Sequence, residues 1–534
     1  MRLLSTLLLL LLVLPAYAVE VDTGDPALDA VFSTLMGRNF AAKEEALRTL
    51  AASEQPKRYE LLEGILDGRL LVQKKTGRLV LGDKAGSQFA AIDALSGEQM
   101  GDLNRRKLKR IAINNHLRRV IREIIALHDL DSDDTAARLN AVQALLESPS
   151  AEQIPLVTPR LEKETDPTVK SALQLVLALG NLSSDDAQTR LHAISGVKGS
   201  LEPPVRQKLT SMAASDPDEG VKKAAATALR KIEDRVKLFG QVETLFFGLS
   251  LGSVLVLAAI GLAITFGVMG VINMAHGELI MLGAYTTYLI QQAMPGMAGL
   301  SLLLSIPAAF VVSGLVGIAI ERGIIRFLYG RPLETLLATF GVSLILQQLV
   351  RTVISPQNVP VSNPEFMSGF WQVNSVLSLT YNRMYIILFC LLVFVGLFMV
   401  LKRTRLGLQV RAVSQNRAMA RAMGVHSARV DALTFGLGSG IAGIAGVALS
   451  QLTNVGPNLG QAYIVDSFMV VVFGGVGNLW GTLIGGVGLG IANKFMEPWA
   501  GAVMAKILIL VIVILFIQKR PRGLFPQKGR AAEG

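Results

Sequence analysis

The sequence predicts an all-α protein in two parts, a mostly helical soluble domain followed by a polytopic α-helical membrane domain of eight or nine spans. Three observations carry that prediction. The 534 residues are 51% hydrophobic and only 17% charged, too apolar for an ordinary soluble chain and too many for one domain. The charge is also unevenly divided. From Glu243 onward nineteen Lys/Arg face nine Asp/Glu, whereas the residues before it are nearly neutral, so almost all of the net +11 belongs to the apolar half. Finally, that half is a series of apolar runs separated by short basic clusters.

The chain opens with a signal for export. Met1-Arg2 is a short positive region, Leu3 to Leu14 an apolar stretch, and Ala16-Tyr17-Ala18 a small-residue cleavage site, which makes 1–18 a signal peptide. An uncleaved anchor is the other reading, and both place 19–238 outside the cytoplasm. Cys390 is the single cysteine and lies in an apolar run, so the exported domain has to stand on its own core without a disulfide.

In 19–238 an internal repeat stands out. Asp133-Asp134-Thr-Ala-Ala-Arg138-Leu139-Asn-Ala141-Val142 returns 52 residues later as Asp185-Asp186-Ala-Gln-Thr-Arg190-Leu191-His-Ala193-Ile194. Asp166-Pro167 and Asp216-Pro217 each read as a cap and first residue of an Ala/Leu-rich helix. Helix pairs stacked at this period predict a short HEAT-like α-solenoid, a fold that binds macromolecules along a concave face. Arg69 to Leu81, with Gly77 at its centre, instead reads as two strands around a turn. His116, His128 and His192 lie apart on helix-like segments and read as structural or solvated. No metal-ligand spacing and no nucleophile with a base is present, so neither a catalytic nor a metal site is expected.

The apolar half, 243–520, begins with a stretch from Thr244 to Ile320 in which Glu278 is the only formal charge, enough for three spans. Further runs are Thr335 to Val350, Met384 to Leu401, Ala432 to Val465, Ser467 to Asn493 and Ala502 to Gln518. Basic clusters at Arg322, Arg326 and Arg331, at 402–429, and at Lys519, Arg520 and Arg522 are expected on the cytoplasmic side, with Ser355 to Asn382 outside and the tail 521–534 inside. An outside start and an inside end require an odd number of spans. With eight, one Gly-rich segment has to be re-entrant, either 267–278 or 454–466. The pattern of basic loops excludes nucleic acid as a partner, and membrane lipid takes its place.

Several motifs carry chemistry. Phe266-Gly-Val-Met-Gly-Val-Ile-Asn273-Met-Ala-His276-Gly-Glu278 puts an amide, an imidazole and a carboxylate in an apolar region, where such groups mark a functional site or cap a broken helix. Gly438-Ser-Gly440-Ile-Ala-Gly443 matches a dinucleotide-binding pattern but has no strand before it, so these glycines, with Gly436, predict close helix packing. In the basic loop, Asn416 can cap and Gly424 can end a short helix. Arg417 and Arg421 share one of its faces, and Ala418, Met419, Ala422 and Met423 another. It suits a groove on a partner or an anionic lipid surface. No Walker phosphate cradle occurs, so nucleotide energy has to come from another subunit.

Three stretches resemble the LivH-type permease family of branched-chain amino acid and amide ABC importers. They are Gly248 to Ser253 leading into Gly267 to Glu278, Arg403-Thr-Arg-Leu-Gly407 followed by Arg411 to Gly424, and Gly474-Gly-Val-Gly-Asn-Leu-Trp-Gly481. Gly330 to Gln348 and the long exported extension are most similar to the urea permease branch, UrtB. The resemblance implies a permease that binds no cofactor itself. Its partners would be a second permease subunit, two ATP-binding subunits that hold the ATP, and a soluble substrate-binding protein. It also implies an ATPase-coupling loop at Arg411, Asn416, Arg417, Ala418, Met419, Ala420, Arg421 and Gly424, with Ala418 where the family's coupling motif has an acid. For urea, a neutral hydrogen-bonding solute, Asn273, His276, Glu278, Gln347, Gln348, Asn454 and Asn478 are the pathway candidates. Branched-chain amino acids or short amides are the same-class alternative. A different class is an ATP-independent channel or carrier with His276 and Glu278 as a proton relay, and a third is a membrane-anchored scaffold.

Overall fold

The computed structural model describes residues 21–85, 88–147 and 149–525. The signal-peptide expectation at 1–18 and most of the 521–534 tail lie outside the described residues. The chain divides between Arg235 and Val236 into two compact units, and the division falls inside the helix Glu219–Met269.

The first unit starts with three helices, α1 (Pro26–Met36), α2 (Phe40–Ala52) and α3 (Arg58–Asp67). Asp25 and Asn39 cap the first two: their side-chain oxygens accept from Ala27 N and from Ala41 N respectively. A five-stranded sheet follows, built from β1 (Leu70–Gln73), β2 (Leu79–Ala85), β3 (Gln88–Asp93), β4 (Gln99–Asn104) and β5 (Leu108–Arg110) in the order β4-β3-β2-β1-β5. The hairpin expected around Gly77 is present, and Leu70, Leu71 and Val72 of its first strand are buried on both faces. The strands beyond it are an addition to the helical expectation. The β3–β4 hairpin repeats the turn chemistry of β1–β2, with Gly97 at positive φ as Gly77 is, but its strands carry too few apolar residues to announce themselves. Phe32, Leu47, Leu50, Leu61, Leu70 and Leu117 form the core of this part.

The repeat region corrects the expectation of helix pairs, because each 52-residue period holds three helices. They are α4 (Asn115–Asp129), α5 (Thr135–Glu147) and α6 (Ile154–Lys163), then α7 (Pro167–Asn181), α8 (Ala187–Val197) and α9 (Pro203–Ser215). The equivalent N-caps are Asn114, Asp166 and Asp218, which accept from Leu117 N, Val169 N and Val221 N. Asp216 is therefore not the cap its Asp-Pro step implied. It receives Arg190 Nε and Nη2 at 3.0 and 2.8 Å, while Arg190 Nη1 donates to the carbonyls of Ser184 and Asp185. Arg138 does the same one period earlier, binding Glu164 and the carbonyls of Ser132 and Asp133. One arginine thus ties together the joints of each three-helix unit. Of the histidines, His116 Nε2 lies 2.7 Å from Glu44 and His128 stacks on Tyr59.

The second unit is a helical assembly. After α10 (Glu219–Met269) come α11 (His276–Ala293), α12 (Ala298–Gly323), α13 (Pro332–Val353), α14 (Tyr381–Arg403), α15 (Arg405–Gln415), α16 (Arg417–Ala422), α17 (Ser427–Ser450), α18 (Leu459–Gly474), α19 (Leu479–Ala500) and α20 (Ala502–Lys519). Among the described residues six helices are long and apolar enough to cross a membrane: α10, α12, α13, α14, α17 and α20. The run expected to be continuous from Ser467 to Asn493 breaks at Gly475 and Gly477, both at positive φ, and becomes α18 and α19. Helix α17 is buried along most of its length because its glycines remove the side chains that would hold neighbours away. Gly438 meets Gly261 of α10, Gly443 meets Ala309 and Ser313 of α12, and Gly446 meets the backbone of α11. These glycines serve packing, not a nucleotide.

Candidate functional site

Helix α10 stops at Met269, and Gly270 at φ 65 turns the chain so that residues 270–275 run without helical structure before α11 begins. Asn273 folds its carbonyl oxygen back to accept from Ala275 N, and Thr339 of α13 accepts from Met274 N. The break is thereby held open by side chains, as irregular backbone in an apolar surround requires. His276 is fully buried, with Nε2 2.9 Å from the Ala258 carbonyl, so one ring nitrogen ties the start of α11 to α10. Glu278, in the first turn of α11, is 1% exposed. Ser343 Oγ donates to its Oε1 at 3.0 Å, and its Oε2 has no hydrogen-bond partner among the described residues. The carboxylate lines a cavity of about 40 Å³ together with Gly277, Phe340, Ser343, Gly460 and Gln461.

The remaining pathway candidates separate. Gln347 sits one turn beyond Ser343 on α13, buried, and its Nε2 donates to Asn458 Oδ1 at 3.0 Å and the Pro457 carbonyl at 3.3 Å. Arg351, another turn on, donates to the same Asn458 oxygen at 2.7 Å. Gln348 faces away and is exposed, as is Asn454. Asn478 is committed to capping α19, accepting from Trp480 N and Gly481 N, and donates to the Phe525 carbonyl. Sequence reading missed Ser343, Arg351 and Asn458. The spacing Ser343, Gln347, Arg351, four residues apart, is the signal that could have found the first two.

A second constellation lies in the basic loop, which folds as α15 and α16. Asn416 caps α16 by accepting from Met419 N, and Gly424 at φ 84 follows its end. The two arginines expected on one face turn back onto the unit's own body. Arg417 pairs with Asp431 of α17 and donates to the Tyr329 hydroxyl, and Arg421 Nε donates to Ser427 Oγ at 2.7 Å. Arg411 is bonded to the Leu401 carbonyl and Ala420 is buried. The other face points out, with Ala418 exposed, Met419 60% and Met423 78% exposed. The helix is thus held by its arginines and presents two flexible apolar side chains outward.

Residues 244–517 match the family model described as branched-chain amino acid transport system / permease component. The chain is 31% identical to the high-affinity branched-chain amino acid transport system permease protein BraD of Pseudomonas aeruginosa, over 54% of this chain and 96% of that protein. It is 30% identical to the LivH permease protein of Escherichia coli, over 53% and 94%. Similarity extends to the ribose import permease protein RbsC of Escherichia coli at 24%, over 52% and 85%. No solved structure matches the chain.

Proposed function

The chain belongs to the branched-chain amino acid transport permease family, and from that premise we propose that it is the membrane subunit of an ATP-driven importer whose solute is urea. It is a transport subunit and not an enzyme. The observation that carries the importer reading is the pinned helix α16 with Met419 and Met423 uncovered, which fits a groove on an ATP-binding partner. Two such partners, a second permease and a soluble substrate-binding protein complete the assembly, with membrane lipid around it. ATP-driven closure of the partners moves α16, and the movement passes through Asp431 to α17 and the helices packed on it. The basic clusters support an orientation with α16 and the C-terminus in the cytoplasm and the first unit outside, where it would be free to dock a macromolecule.

Urea is favoured by the resemblance of Gly330 to Gln348 to the urea permease branch. Branched-chain amino acids are the second reading, favoured by the relatives BraD and LivH, which are branched-chain amino acid transport system permease proteins. Uptake of radiolabelled urea and leucine in cells with and without this chain decides between them. Loss of urea uptake alone supports the first reading, loss of leucine uptake alone the second. Co-purification separates the classes, since a channel or ion-coupled carrier comes out of the membrane without ATP-binding subunits.

A further inference from the structure

We propose that Glu278 and Ser343 form the subsite that binds the N–H groups of the transported solute, the amide of a urea-type molecule or the α-ammonium of an amino acid. The inference rests on the permease reading and adds the atoms that would recognise the solute.

A carboxylate oxygen only accepts hydrogen bonds, and one buried in an apolar surround without a donor is costly. Glu278 Oε2 is in that position, in a residue that lines a cavity, while Oε1 is occupied by Ser343, which lines the same cavity. The serine fixes the orientation of the carboxylate and leaves the second oxygen for something that enters. The cavity is small because Gly277 of α11 and Gly460 of α18 bring their backbones into direct approach, where a Cβ on either would collide. What fits there is a donor group of a few heavy atoms.

A polar file leads to it. Ser343, Gln347 and Arg351 lie on one face of α13, and Gln347 and Arg351 share Asn458 as acceptor. Eight residues of helix put Arg351 roughly 12 Å along the axis from Ser343. The ammonium and carboxylate of one amino acid cannot reach Glu278 and Arg351 together, so a zwitterion would use them in succession, its carboxylate first at Arg351. Urea has no carboxylate to pair with the guanidinium, so its passage does not depend on that charge.

The test is uptake and competition in cells expressing the full chain with its importer partners, at matched membrane abundance. Glu278→Gln is expected to lower solute uptake at least tenfold. Ser343→Ala, which removes one hydroxyl from an otherwise intact wall, is expected to raise KM several-fold. Glu334→Gln, an exposed acid paired with Arg331, leaves uptake unchanged. Acetamide should compete with urea, and tetramethylurea, which has no N–H, should not. Arg351→Gln distinguishes the sources: it spares urea uptake and abolishes leucine uptake. Unchanged uptake in both Glu278→Gln and Ser343→Ala, or competition by tetramethylurea equal to that by acetamide, overturns the subsite while leaving the permease reading intact. If wild-type cells take up neither solute, it is the permease reading's substrate that fails.

Discussion

Arg417 and Asp431 face each other in a two-pronged ion pair, Nη1 to Oδ2 at 2.7 Å and Nη2 to Oδ1 at 3.0 Å, that joins the short helix α16 to α17 near its start. Parallel N–H···O bonds fix angle as well as distance, so the pair transmits rotation where a single contact would swivel. Asp431→Asn removes the charge but not the size of the partner. Loss of a hydrogen-bonded charge pair of this kind costs on the order of 2 kcal/mol, roughly thirtyfold in the population of the docked geometry. Solute uptake should fall about tenfold or more while ATP-binding subunits still co-purify and hydrolyse ATP without transport. The exchanged pair Arg417→Asp with Asp431→Arg should recover part of the uptake.

The outer face of the same helix makes a separate prediction. Met419→Asp and Met423→Asp place charges on side chains that are mostly exposed, so the permease should fold normally. Co-purification of ATP-binding subunits should be lost, measured against the wild-type complex. Retention of those subunits by both variants would remove α16 as the docking element.

Much of this architecture was legible in the sequence. The apolar runs, the basic loops and the cap and stop of α16 follow from local periodicity and from residues whose side chains bond their own backbone. What escaped reading depends on partners far along the chain. Glu278 announces itself as an acid in an apolar run, but Ser343, 65 residues away, is an unremarked serine until α13 packs beside α11. Gln347 and Gln348 are indistinguishable as letters, and only the rotation of α13 buries the first and exposes the second. Asp216 read as a cap from its neighbour proline, yet a long-range arginine claims it and Asp218 caps instead. The three-helix period was hidden because its acids differ, Glu164 in one unit and Asp216 in the next.

Those two ion pairs give the first unit a pH dependence whose sign is fixed. Arg138 hydrogen bonds hold the Glu164 carboxyl below its usual value. Burial is the largest single influence on Asp216 and would raise it, but the bonds from Arg190 and from Asp218 N, with the charges of Arg190 and Lys222, together outweigh it and the carboxyl is lowered as well. A carboxyl with a lowered folded-state pKa contributes stability above its unfolded value, near 4, and loses that contribution as pH falls through the folded value. The hydrogen-exchange protection factor over 115–215 in the full chain, taken relative to the intrinsic rate at each pH, should therefore be high and steady from pH 7 to about 5 and fall below about 4. With Arg138→Met and Arg190→Met together, protection should be lower at pH 6 and change less on acidification.

Gly443 tests the packing at the centre of the membrane unit. A side chain there meets the Ala309 carbonyl and Ser313 of α12, backbone and hydroxyl atoms that cannot swing aside. Gly443→Val should destabilise the unit by about 1–3 kcal/mol or more through overpacking, read as a lower thermal midpoint in detergent. Gly488→Ala, which meets open space, should leave the midpoint within about a degree of wild type.

Orientation in the membrane is the prediction with the widest consequence, because the docking surface and the solute entry are assigned to opposite sides. The basic clusters and the acid-poor loops predict Gln415 in the cytoplasm, and the export signal expected at 1–18 predicts Ser195 outside. Both residues are exposed, and the single native cysteine, Cys390, is buried, so Cys390→Ala supplies a clean background for Ser195→Cys or Gln415→Cys. A membrane-impermeant maleimide should label the first in intact cells and the second only after permeabilisation. The reverse pattern would put Met419 and Met423 outside, away from any ATP-binding subunit, and would leave the importer reading without its coupling surface.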